Sequence, residues 1–199
     1  MNQKSVIKKT EEFVRKSMKG DVGHDWLHVD RVRKLALKIG KLEKADLFVV
    51  ELAALLHDIG DWKFHKDPNT AGKKFSRLLN TMKVGSTVVN DAAFIIDNIS
   101  WKNGTNKVRM RSIEGKVVQD ADRLEALGAI GIARAFSYGG HKKRPLAGTP
   151  DSTITHFSDK LLKLKNAMNT KSGKALAKPL DLFIRSYLKQ FSKEWAGER

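Results

Sequence analysis

Cysteine is absent from the 199-residue chain. Disulfides and thiolate zinc sites are therefore excluded, and any metal must be held by His, Asp, Glu or water. No apolar run approaches the ~20 residues that a membrane span needs. Met1 to Arg15 alternates charges with single apolar residues and has no apolar signal core. A soluble cytoplasmic protein with no membrane partner is the expectation. Acids are scarce, with 22 Asp and Glu against 38 Lys and Arg, a formal charge of +16. Such a balance attracts polyanions: nucleic acid, acidic surfaces or phosphorylated small molecules. The basic residues are spread along the chain, and the densest short patch is His141-Lys142-Lys143-Arg144. Solubility alone accounts for most of these lysines. No hairpin turn signal separates alternating strands and no repeat period appears.

What is present is helical periodicity. At 41% hydrophobic and 30% charged, the composition is globular, and the length suits one domain with a substantial core. The spacing predicts helices over Lys4–Met18, Asp25–Ile39 (stopped by Gly40), Ala45–His57, Asn69–Met82 and Val84–Ile99. Ser100–Arg111 reads as a basic loop or short helix. Helices follow over Ile113–Ala126, Ile130–Tyr138, Ile154–Met168 and Gly173–Trp195, the last kinked or restarted at Lys178-Pro179. Gly139–Ser152, rich in Gly, Pro and basic residues, is the longest surface loop. The expectation is one all-α domain over residues 1–199, with a core at about 20–138 and C-terminal helices 152–196 packed on it.

Leu55-Leu56-His57-Asp58-Ile59-Gly60-Asp61 organises this chain. The apolar run Leu47–Leu56 delivers a histidine and two carboxylates at its end, and Asp61 lies one turn beyond His57 and Asp58. Neighbouring side chains on a helix point about 100° apart, so both His57 and Asp58 can reach one point off its side. Burying them costs free energy unless something compensates, and a divalent cation suits both. A helix cap or turn with two acids is the other reading of the same residues.

Two further stretches bear on this choice. His24 and His28 are four apart at the start of the second helix, with Arg31 one turn further on the same face. This is a ligand spacing, and also the spacing of capping or partly buried histidines. In Gln119-Asp120-Ala121-Asp122-Arg123-Leu124-Glu125, acids sit beside small, close-packing residues. This suggests a partly buried polar centre in which Asp122, sharing a ridge with Val118 and Ala126, has the better inward placement; the alternative is that Asp120 caps a turn and Arg123 and Glu125 form a solvated face.

The order His28, then His57-Asp58, then Asp122 resembles the His … His-Asp … Asp signature of the HD-domain metal-dependent phosphohydrolases. Gly23-His24-Asp25-Trp26-Leu27-His28, Leu56–Asp61, Gln119–Arg134 and His156-Phe157-Ser158-Asp159-Lys160-Leu161-Leu162 are similar to a small bacterial subgroup resembling nucleoside triphosphate pyrophosphohydrolases. The resemblance runs from about residue 20 to Trp195. It implies an all-α helical bundle of the HD-domain type and a bound divalent metal (Mn, Fe, Ni or Mg), with His28, His57, Asp58 and Asp122 as its ligands. Because the extra histidines of binuclear members are missing, one ion is expected. In alarmone-hydrolysing relatives a Glu-Asp pair follows His-Asp after two residues. Here Asp61-Trp62 stands in its place, which keeps an acid but departs from that pattern.

On this basis Asp61 is the candidate to orient or deprotonate the attacking water. Lys63 and Lys102 are candidates for substrate phosphate. His24 and Asp25 line the cleft or orient ligands, and Arg31 pairs with a ligand carboxylate or caps the site. Trp62 or Trp101 is placed to stack on a base. The expected substrate is a nucleotide, with a (deoxy)nucleoside triphosphate cut to monophosphate and pyrophosphate as first choice, and a 5′-nucleotidase or phosphodiesterase as alternative. A nucleic-acid-binding or regulatory protein is the reading from another class, resting on charge alone. The sequence leaves oligomeric state open.

Overall fold

Side-chain caps start most of the helices. A computed structural model of the chain describes residues 1–18, 25–58, 69–99 and 108–198, with the side chains of 69–74 excluded. Asn2 accepts from the Ser5 amide to open α1 (Gln3–Ser17), and Asp25 accepts from the His28 amide to open α2 (Trp26–Glu43). Asp46 accepts from the amides of Phe48 and Val49 to open α3 (Leu47–Leu56). These side chains satisfy amides that the first helical turn leaves without partners. There follow α4 (Asn69–Thr81), α5 (Ser86–Asn98), α6 (Ile113–Leu124) and α7 (Gly128–His141). After them come α8 (Thr153–His156), a π-helical turn (Phe157–Leu161), α9 (Leu162–Leu164), a 3-10 turn (Lys165–Ala167) and α10 (Lys171–Trp195). No strand occurs among the described residues, so the fold is all-α. No described helix is long and apolar enough to cross a membrane.

The chain divides into two compact units, Met1–Ala121 and Asp122–Arg199. In the first, α3 packs against α1, α2 and α5, and α4 packs against α5. Val49, Val50 and every residue from Leu52 to Leu56 are buried, as a helix apolar all round must be. Leu52, Leu55 and Leu56 join Val6, Val14, Val29, Phe75 and Leu79 in one cluster. Each buried leucine contributes about 2 kcal/mol from the area it removes from water. Gln119 donates to the carbonyls of Asn98 (3.3 Å) and Ile99 (3.2 Å), which ties α6 to the end of α5.

In the second unit α10 packs along α7 and the 3-10 turn. Phe136, Phe157, Tyr187, Phe191 and Trp195 form a run of adjoining rings with centroids 5.8 to 6.3 Å apart. Asp181, fully buried, accepts from Lys165 (3.1 Å) and Arg185 (2.9 Å). Arg123 donates to the Ala167 carbonyl.

Four boundaries differ from the periodicity. Gly40 does not stop α2, which runs to Glu43 and ends on Lys44 in the left-handed region (φ 57°). Gly40 is buried instead where Leu47 and Val50 approach, so its small size serves packing. α7 begins at Gly128 and takes in Gly139 to His141, so the loop starts only at Lys142. Residues 154–168 are not one regular helix, because the π turn at Phe157–Leu161 interrupts them. α10 continues through Pro179, which with Ala175 lies on the exposed side, where the carbonyl that Pro179 leaves without its helical donor meets water. Residues 108–111 are not helical, and 100–107 lie outside the described residues.

Candidate metal centre

Because α3 is buried throughout Leu52–Leu56, the residues at its C-terminal end emerge inside the protein. His57 follows Leu56 directly, still with helical backbone angles, and Asp58 comes next. The carbonyl oxygen of Ala54 lies 2.8 Å from Nδ1 of His57. A carbonyl only accepts, so Nδ1 carries a proton, and in the neutral ring Nε2 is the nitrogen left with a lone pair. The same bond satisfies one carbonyl that the end of α3 leaves open. His28 sits in the first turn of α2, its amide held by Asp25 at 2.8 Å.

The three side chains converge. Nε2 of His57 stands 3.3 Å from Nε2 of His28 and 3.4 Å from Oδ1 of Asp58, and Nε2 of His28 stands 3.3 Å from Oδ2 of Asp58. The rings meet edge to face, at 70° with centroids 5.3 Å apart. His28, His57 and Asp58 are 1%, 3% and 7% exposed. Among the described residues these three form the group whose donor atoms could hold a metal ion, all within 4.8 Å of one another. Donors bound to one tetrahedral ion at ~2.1 Å stand about 3.4 Å apart, so the separations found fit a single divalent cation. Two imidazoles and one carboxylate are a borderline-hard set that leaves open positions for water or phosphate oxygen. A buried carboxylate against two imidazoles is also costly without such a charge.

The other expected residues are placed as follows. Asp122 lies in the last turn of α6, half-buried, as the first residue of the second unit. Asp25 is the N-terminal cap of α2, and Arg31 is half-buried on α2 one turn after His28. His24, Asp61, Lys63 and Lys102 lie outside the described residues, as do Trp62 and Trp101. The acid-rich run of α6 forms the partly buried polar centre that its small apolar neighbours suggest: Val117, Val118, Gln119, Asp120, Ala121, Arg123 and Leu124 are buried, Asp120 fully so. The alternative, with Asp120 capping a turn and Arg123 and Glu125 as a solvated face, does not hold, since Arg123 and Glu125 are 8% exposed each. The i, i+3, i+4, i+7 spacing of Val117, Asp120, Ala121 and Leu124 is the signal for the buried Asp120. The ion-pair set of Arg33 with Glu11 and Glu51, which joins α1, α2 and α3, was also not foreseen.

The HD domain family model matches residues 26–127, more than half of the chain. YpgQ of Bacillus subtilis is 44% identical over 179 residues, which cover 88% of this chain and 86% of that protein. The crystal structure of YpgQ in complex with ADP is similar to this one with a TM-score of 0.79 at 41% identity, covering 94% of this chain and 97% of that one. An HD-superfamily hydrolase from Bacillus thuringiensis gives 0.83 at 40% identity, covering 99% and 100%.

Proposed function

The chain belongs to the HD-domain family of metal-dependent phosphohydrolases, and we propose that it hydrolyses (deoxy)nucleoside triphosphates to the monophosphate and pyrophosphate. The observation that carries the hydrolase reading is the buried convergence of His28, His57 and Asp58. The nucleotide is supported by the ADP complex of YpgQ, a relative that this chain matches over nearly its whole length.

A bound divalent ion lowers the pKa of a coordinated water and polarises a phosphoryl oxygen. The chain's own residues supply the rest. The hydrogen bond from His57 to Ala54 fixes the tautomer, so no rearrangement is needed to present Nε2. In this reading Asp122 completes the ligand set and a single ion is held. Water adds to the α-phosphorus, the bond from that phosphorus to the bridging oxygen breaks, and pyrophosphate leaves. Asp61 takes the proton of the water, and Lys63 and Lys102 neutralise the phosphate chain. His24, Asp25 and Arg31 orient the ligands and the substrate.

The test is a panel of nucleoside tri-, di- and monophosphates with Mn, Fe, Ni or Mg, with pyrophosphate and orthophosphate measured separately. Pyrophosphate in equal amount to monophosphate is the expected result. Orthophosphate from monophosphates would replace this reading with a 5′-nucleotidase.

A further inference from the structure

We infer that the exposed side of α10 docks on the surface of an anionic phospholipid bilayer, with its lysines on the headgroup phosphates and Leu182 and Phe183 at the acyl boundary between them. This surface lies on one helix of the second unit. Nothing in it depends on the metal centre or on the hydrolysis proposed above.

The spacing along α10 aligns its charge. The helix packs along α7 and the 3-10 turn, with Gly173, Ala177, Asp181 and Ile184 buried. Its six cations are Lys171, Lys174, Lys178, Arg185, Lys189 and Lys193, and all six are exposed. At about 100° and 1.5 Å per residue they fall in one sector about 100° wide, on a line about 33 Å long. No acid stands in that sector. A surface shaped for solubility intersperses both signs of charge. Here the neighbouring exposed positions, Pro179, Phe183, Ser186 and Gln190, carry none.

Most of this charge is not neutralised within the protein. Arg185, with Lys165, serves the buried Asp181. Lys171, Lys174, Lys178, Lys189 and Lys193 have no acidic partner among the described residues. Glu194 lies outside the sector and accepts from Gln190 at 2.8 Å. Lys174 and Lys178, and likewise Lys189 and Lys193, are like charges four residues apart, which weaken the helix that carries them. An anionic surface removes that cost.

The middle of the line is apolar, and this selects the partner. Leu182 stands in the sector between Lys178 and Arg185 and is 56% exposed, and Phe183 beside it is 51% exposed. A nucleic-acid strand laid along the line would set phosphate against Leu182. A bilayer surface accepts both kinds of side chain. Lysines stay with the headgroups, and apolar groups enter the boundary beneath them. A plane also meets a convex helix along a line, which is the shape the cations make. Such contact needs an exposed face and no spanning helix.

Vesicles of phosphatidylcholine with about 30% phosphatidylglycerol, sedimented with the full chain at about 100 mM salt, test it. The wild-type chain is expected to bind them and not vesicles of phosphatidylcholine alone. Lys178→Gln with Lys189→Gln should bind about 25-fold more weakly, at about fivefold for each lysine near the surface. Leu182→Ser with Phe183→Ser should bind at least about tenfold more weakly. All four side chains are exposed, so circular dichroism and Tm should stay near wild type. Lys8→Gln with Lys9→Gln removes the same charge from exposed positions on α1 and should match wild type. No binding to the anionic vesicles overturns the proposal, as does binding that either α10 pair leaves unchanged. Equal weakening by the α1 pair overturns it too, since that would show attraction to net charge only. A DNA duplex bound more tightly than the vesicles, with loss in the lysine pair alone, overturns it in favour of nucleic acid.

Discussion

Arg33 on α2 holds Glu51 on α3 through Nε and Nη2, 2.8 and 2.5 Å from the same carboxylate oxygen. Its Nη1 reaches Glu11 on α1 at 2.9 Å. Burial alone would lower the pKa of this guanidinium, but the two carboxylates outweigh it and hold the value above the usual arginine range. One side chain therefore joins the two helices that deliver His28 and His57 to a third helix that lies outside the matched family region. Arg33→Met should lower unfolding stability by about 2 kcal/mol, because the partly buried Glu51 loses this partner and Glu11 is left with Arg15 alone. Arg33→Lys should recover only part, since it lacks the fork. Urea denaturation of the three proteins measures both.

Asp181 gives a prediction on acid stability. Burial would raise its pKa, but the hydrogen bonds and charges of Arg185 and Lys165 prevail and hold it below the usual carboxylate range. A group depressed on folding contributes its full stability above its unfolded value, about 3.9, and loses it as pH falls through the folded value. Asp181→Asn should cost about 1–2 kcal/mol at pH 7, and nothing once the wild-type carboxylate is protonated. Denaturation midpoints of both proteins should therefore differ at pH 6 and converge as pH falls below about 4.

Gly139→Ala should destabilise by about 1–3 kcal/mol, because the added methyl meets the side chain of the buried Thr153 and one of the two helices must shift. Gly140→Ala, with nothing near its added methyl, serves as the control and should be neutral or slightly stabilising. Thermal melts of the pair show whether the α7–α8 contact is as close as the structure has it.

These residues show what was legible in the sequence and what was not. The apolar run that ends in His57-Asp58 leaves a metal and a helix cap both open, and it is the resemblance of four blocks in order that singles out His28, His57 and Asp58. The helices could be read where one face is apolar over several turns, as in α2 and α3. The boundaries were misread where a residue's local preference lost to packing. Gly40 and Pro179 are helix breakers by propensity, yet one fills a close contact and the other sits where water takes the place of the missing bond. The polar centre on α6 was legible from its small apolar neighbours, but the choice of Asp120 as its fully buried acid needs the spacing with Val117, Ala121 and Leu124.

In the proposed function the buried carboxylate of Asp58, with His28 and His57, holds the ion on which phosphohydrolysis depends. Asp58→Asn keeps the shape and removes the charge. Measured as pyrophosphate release from a nucleoside triphosphate with saturating metal, the variant should lose at least about 100-fold in kcat/KM while its Tm stays near wild type. Hydrolysis within a few-fold of wild type in that variant would contradict the account.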